Sequence, residues 1–320
     1  MYGAGGAVTA ALLPSAAGGE LDRLAADFAE ALAALPRVKV GASSRAVAAV
    51  HHGLLDLADG AKLGPAQRAA AASLTARVTT ARSDVARLAG HGDSADAVAA
   101  AAARMVGAAD DPVAAGTLAA VRAVTAIEAD RADRAAAHVD EGLAVCPSGP
   151  RVVSLTALRA HVLGLSGAAP RDVEAAAEAA VDAAADLRPD ERGTVVGLSF
   201  DTYHPIRAAD RAHSALLAAG LIAESEPYAA LILPGFDAMG LPGFASHARF
   251  ERALALVRVN GAAGVEESCA LVAEAVGISA DRRTGALLDL AGGWLAAVRP
   301  FWKGAEVAET AQAVRLWRAG

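Results

Sequence analysis

Apolar residues recur along this chain at helical spacing. Leu21, Leu24, Phe28, Ala31 and Leu32 fall at i, i+3, i+4 intervals between Glu20 and Leu35, and Pro36 ends the run. The same periodicity returns throughout the 320 residues. Five times a helical stripe enters a turn marked by Gly or Asp, and a second, Ala-rich stripe follows. The turns are Gly90-His91-Gly92-Asp93, Asp130-Arg131-Ala132-Asp133, Gly167-Ala168-Ala169-Pro170, Gly220-Leu221-Ile222 and Gly261-Ala262-Ala263-Gly264. They lie about 37–53 residues apart, the range expected of helix-pair repeats. The pattern predicts an all-α chain of about 13–15 helices without a sheet, wound as a right-handed α-solenoid.

Boundaries are signposted by Pro, Asp and Ser. Ser43-Ser44 predicts an N-cap for a helix through Asp59, Gly60 to Gly64 a turn, and Pro65 the opening of a long helix to about Leu88. Asp110-Asp111-Pro112 sets a capping carboxylate before a Pro at the first helical position, where a missing N–H does no harm. Gly149-Pro150 and Pro170-Arg171-Asp172 open two further helices, while Arg37-Val38-Lys39-Val40 is β-like but too short to carry a sheet. Two stretches read as irregular. One is Pro189 to Pro205, with Gly193, Gly197 and the Val195-Val196 pair; the other, Pro234-Gly235 to Pro242-Gly243, is expected to break the C-terminal group. The resulting organisation is a frayed or short helical segment over 1–19, N-terminal repeats over 20–188, an irregular connection over 189–202, and C-terminal repeats with a capping helix over 203–320.

Composition fits thin stacked layers. Apolar residues make up 54 %, but the excess is Ala and aromatics are only 4 %, which favours close helix approach over a thick core. A net charge of −7, with Lys only at Lys39, Lys62 and Lys303, argues against direct nucleic-acid binding, which needs clustered cations. No charge-free apolar run approaches membrane-spanning length, and the first basic residue is Arg23, too late for the basic start of a signal peptide. Cys146 and Cys269, far apart, point to a reducing cytoplasm and to packing as small hydrophobes. Of the aromatic residues, only Tyr2 and Phe28 precede residue 199. A bulkier capped core in the C-terminal half and a ligand pocket there both fit that asymmetry.

Motifs of catalysis are scarce. His52 with Asp56, His138 with Glu141, and Asp210 with His213 have the spacing that puts both side chains on one helix face. Neither a repeated Glu-x-x-His nor His-Glu-x-x-His occurs, so no metal and no cofactor is expected. There is no Gly-x-Ser-x-Gly, and Gly3-Ala4-Gly5-Gly6 lacks the Gly-Lys-Ser/Thr of a phosphate loop. An interaction surface is better marked. Tyr203, His204, Arg207, Asp210 and Arg211 are expected on the first helix of one C-terminal pair, and Arg249, Phe250 and Arg252 on the next. Arg among aromatics suits recognition, although ordinary salt bridges with Asp210 and Glu251 would use the same residues.

From Phe200 onward the order of segments resembles a known family. The residues are Leu198-Ser199-Phe200-Asp201, Ala212-His213-Ser214-Ala215-Leu216-Leu217-Ala218-Ala219-Gly220, Ser246-His247-Ala248-Arg249-Phe250-Glu251-Arg252-Ala253-Leu254-Ala255, Gly261 to Glu267, and Ala308 to Trp317. Upstream, Pro65-Ala66-Gln67-Arg68 and Ala109-Asp110-Asp111-Pro112 extend the likeness. Together they are similar to the tetratricopeptide-like C-terminal, sensory region of actinobacterial Xre-type helix-turn-helix regulators. The resemblance implies tetratricopeptide-like helix pairs. Such regulators usually carry an N-terminal DNA-binding domain, and since nothing before Glu20 is expected to form one, the sequence resembles the sensory half standing alone. The expected role is binding or regulation through a peptide, a protein partner or a small molecule in a solenoid groove, with a homodimer compatible. An enzyme or small-molecule carrier of secondary metabolism, using the same helical cavity, is the alternative.

Overall fold

The computed structural model describes residues 16–60, 63–146, 148–280 and 282–319; most of the expected N-terminal segment over 1–19 lies outside them. Helix α1 (Ala16–Ala34) is followed by α2 (Val40–Gly60), α3 (Pro65–Leu88), α4 (Gly92–Ala109), α5 (Pro112–Glu128), α6 (Ala132–Val145), α7 (Pro150–Leu165) and α8 (Pro170–Ala185). A single turn, α9 (Pro189–Arg192), precedes α10 (Ile206–Ala218), α11 (Ile222–Ala238), α12 (Pro242–Asn260), α13 (Val265–Ile278), α14 (Gly285–Ala297) and α15 (Ala305–Ala319). Among the described residues there is no strand. The protein is all-helical.

Local chemistry sets these boundaries. The N–H of His91, Arg131, Ala168, Leu221 and Leu241 each bonds a carbonyl five residues back, the closing bond of a Schellman motif. The residue before each takes positive φ: Gly90, Asp130, Gly167, Gly220 and Gly240. That conformation strains any residue with a Cβ, so Gly fills four of the five places and Asp the other. Asp111 caps α5 by accepting from the Ala114 N–H at 2.9 Å.

Two expectations need correction. Helix α2 begins at Val40, so Ser43 is not its cap but a buried interior residue, and the β-like piece 37–40 runs into the helix. Pro234 does not break the C-terminal group either, because α11 runs through both Pro227 and Pro234. Seven residues apart, both prolines lie on the exposed side, as do Ala223 and Ala230 four residues before them. Water can therefore satisfy the carbonyls that the prolines leave free.

Packing sorts the helices into two layers. Successive members of the series α1, α3, α5, α7, α10, α12 and α14 contact one another, and each also contacts the helix that follows it. Helices of this series are buried on several sides; α7 buries Val153, Leu155, Ala157, Leu158, Ala160 and Val162. The others bury one narrow stripe, such as Val173, Ala177, Ala180 and Ala184 on α8, at i, i+4, i+7, i+11. Small residues set the layer spacing. A Cβ on Gly164 would lie 2.2 Å from the Ala215 carbonyl oxygen, so α7 and α10 meet backbone to backbone there.

The row closes on itself. Helix α14 packs on α3, and a Cβ on Gly285 would lie 2.6 Å from the Gly90 Cα. Arg282, just before α14, donates to the Val38 carbonyl oxygen between α1 and α2. The connection 193–205 lies within the enclosure. Phe200 packs against Phe28 with ring centroids 5.9 Å apart, and Val196 joins the cluster of Ile206, Phe236 and Leu241.

Gly164→Ala should destabilise the fold by about 3 kcal/mol, since backbone rather than a movable side chain opposes the new methyl group. Asp130→Gly should do the reverse and stabilise it by about 0.5–1 kcal/mol by relieving the left-handed conformation. Urea denaturation of both variants measures the two signs.

Candidate functional site

The interior holds a half-open cavity of about 200 Å³. Its wall is the inward stripe of successive helices. On α7 the stripe is Arg151, Ser154, Leu158 and His161; on α12 it is Phe244, His247 and Glu251. Spacings of three, four and seven place each set on one helix face. Helix α5 adds apolar wall through Val121, Val124 and Ile127, and the connection adds Val195 and Leu198.

Five of the eight residues expected from sequence line this cavity: Tyr203, His204, Arg207, Asp210 and Arg211. Tyr203 and His204 sit in the connection just before α10, one turn earlier than expected. The other three lie elsewhere. Arg249 is buried and bridges Asp237 and Glu274, each at 2.9 Å, while Phe250 is fully buried in the C-terminal core against Trp317. Arg252 bridges Glu226 and Glu267, each at 2.6 Å. These two arginines clamp α12 to α11 and α13, whose first turn carries Glu267, instead of facing the interior.

Charges in the wall are partly matched. At one end, Arg87 bonds both Asp84 and Glu128, and against the burial that would lower its pKa these carboxylates raise it. At the other end, Arg207 pairs with Asp210 and lies over the Phe244 ring, 4.4 Å from its centroid. His247 Nδ1 lies 3.4 Å from Glu251, which also accepts from Ser214 at 2.7 Å. Burial works against both ionised forms of that pair. Their mutual attraction nevertheless raises the His247 pKa and holds Glu251 well below the carboxylate range.

Arg151 and Arg211 have no carboxylate partner among the described residues. Arg151 donates to the Ser199 carbonyl and, at 3.2 Å, to Ser154, while its Nε stays buried without a partner. Burial pushes its pKa down to about 10. Arg211 reaches only His161 Nδ1, at 3.4 Å. A guanidinium can only donate, so that nitrogen must accept and His161 is neutral. Burial and then the Arg211 charge push the His161 pKa down to about 3. Tyr203, pushed up to about 12 by burial, is a neutral phenol.

Sequence reading missed Arg151, His161, His247, Glu251 and the Arg87 cluster. A signal existed. Arg151 and His161 are polar members of the stripe that α7 carries otherwise through Leu158, and only a partnered or functional polar group belongs on such a stripe. Of the histidine pairs, His138 Nδ1 lies 3.4 Å from Glu141 at the surface. His213 is buried in α10 near the Ser225 carbonyl. Among the described residues no three His, Cys, Asp or Glu side chains cluster to hold a metal ion, and no helix is long and apolar enough to cross a membrane. Cys146 and Cys269 are both buried thiols.

Two cavity histidines shift stability with pH in opposite directions. His161 titrates near 6.5 unfolded and about 3 folded. The folded state therefore binds the proton less well, and its contribution, complete above 6.5, is lost as pH falls toward 3. His247 acts oppositely: with its folded pKa raised, its contribution is complete below 6.5 and lost as pH rises through the folded value. Denaturation at stepped pH should show His161→Gln with a shallower acid-side loss than wild type, and His247→Gln with a smaller loss on the alkaline side. No protein-family model, curated protein or solved structure matches the chain.

Proposed function

We propose that this chain is a binding or regulatory module that encloses a small molecule. In this reading its helix pairs form a right-handed α-solenoid of tetratricopeptide-like repeats, acting like the sensory region of Xre-type regulators. One observation carries the reading: the inward stripes of α3, α5, α7, α10 and α12 converge on a single cavity with apolar walls and a few oriented polar groups. An open groove would suit a peptide or a protein partner. Contact between α14 and α3, and the connection lying inside, instead favour an occupant small enough to be surrounded.

The tryptophans take no part in this site. Trp294 is fully buried, with its indole N–H bonded to Ser268 Oγ at 2.7 Å, and none of the three Trp lines the cavity. Tryptophan emission should therefore stay unchanged on occupancy. Trp294→Ala should cost about 3–5 kcal/mol of stability through the lost core volume.

A dialysable fraction of a cell extract should raise the melting temperature, because a ligand at 100 times its Kd adds about 2.7 kcal/mol. Val124→Trp, which fills the cavity from the middle of α5, should keep the helical circular-dichroism signal and abolish that response. A melting temperature that no fraction moves, or a response that survives Val124→Trp, would overturn this reading. Turnover of the bound compound would transfer it to the enzyme alternative.

A further inference from the structure

The polar end of the cavity carries more positive charge than the protein neutralises. Arg207 is matched by Asp210, and His247 shares Glu251, which leaves Arg151 and Arg211 over. Tyr203 lines the same cavity as Arg151, Arg207, Asp210 and Arg211. The Tyr203 hydroxyl has no hydrogen-bond partner among the described residues. Arg211 spends one N–H on a long bond to His161 and keeps the rest of its donor fork unused. Between the two charged ends the lining is of another kind: Val121 and Val124 of α5 and Leu158 of α7 offer no polar side-chain atom.

Arg151 is buried and Arg211 half-buried, and neither has a carboxylate within salt-bridge distance among the described residues; a charge withdrawn from water without a paired partner is unfavourable. Packing needs explain part of Arg151, which ties the connection to α7 through Ser199. They do not explain Arg211, which could be apolar if its only task were to cover His161. An arginine with unused N–H groups and a phenol O–H without a partner, both lining one cavity, suit an oxyanion.

We propose that the cavity takes a small organic acid whose anionic group, a carboxylate or a phosphate monoester, is held by Arg211 and the Tyr203 hydroxyl in the field of Arg151 and Arg207. Its apolar part lies against Val121, Val124 and Leu158. This rests on the reading of the cavity as a ligand site and names the ligand's class.

Calorimetric titration of the full chain with benzoate, phenyl phosphate, benzamide and inorganic phosphate tests it. At least one of the two aromatic acids should bind about tenfold or more tighter than benzamide and than inorganic phosphate. The tighter of the two assigns the group as carboxylate or phosphate monoester. Tyr203→Phe should weaken the acid several-fold with benzamide unaffected, and Arg211→Gln should erase the preference for acid over amide. Should Arg211→Gln fail to fold, the wild-type comparison and Tyr203→Phe still decide.

Benzamide binding as well as both acids would overturn the charge recognition and leave the ligand cavity intact. Inorganic phosphate matching the aromatic acids would overturn the apolar half. Absence of binding by every probe overturns the inference, while the broader reading is judged separately by the Val124→Trp response.

Discussion

The approach of two glycine backbones, Gly90 and Gly285, is the contact on which the interior depends. Gly90 already has to be glycine, since its φ of +79° closes the α3–α4 turn. A side chain at Gly285 would drive α14 off that same turn. One small residue thus meets a local demand of the backbone and a global demand of the row, that its far end come back to its beginning. With the seam shut, faces that would border open water become cavity walls. Charges on those walls act in a medium of lower polarity, where each unmatched one weighs more.

Closure also explains the connection between α9 and α10. A loop inside a protein carries backbone carbonyls and amides that need partners. Here Arg151 bonds the Ser199 carbonyl and the Tyr203 N–H bonds the Glu191 carbonyl at 2.9 Å, while Arg77 holds the Asp201 carboxylate at 2.8 Å and lies 5.4 Å from the Phe200 ring centroid. Phe200 seals the N-terminal core, and Val196 seals the C-terminal one. The segment joins the two halves covalently and lends a side chain to a separate core on each side, while its remaining residues border the cavity.

How much of this the sequence could show depends on the range of the interaction. Turns at Gly90, Asp130, Gly167 and Gly220, and helix starts at Pro65, Pro112, Pro150 and Pro170, are readable because φ preference and a missing N–H act within a few residues. The Ala stripes are readable because burial on one face repeats with the helix. Pro234 misled because its effect on a helix depends on whether the freed carbonyl meets water, which is a matter of layer rather than of neighbours in sequence. Arg249 and Arg252 misled for a related reason. A basic residue beside an aromatic looks the same whether it faces a cavity or a carboxylate on the next helix, and Asp237, Glu274, Glu226 and Glu267 reach them only across turns. The α3–α14 seam joins residues nearly two hundred positions apart and leaves no periodic mark at all.

The distribution of charge between inside and outside bears on selectivity. The chain as a whole carries −7, yet the polar end of its cavity has an excess of guanidinium. A net negative charge disfavours the approach of extended polyanions. Enclosure by α3 and α14 excludes anything large, and the Val121, Val124 and Leu158 wall gives small inorganic anions little to hold. Each feature alone discriminates weakly. On the proposed reading, together they favour a small occupant with one acidic group and an apolar part. The same reading makes the unpaired arginines an electrostatic penalty that an anion in the cavity would relieve. Binding and stability would then be coupled through the same pair of side chains, Arg151 tying down the connection and Arg211 meeting the ligand. That coupling gives a binding module a way to register occupancy in the order of its own interior.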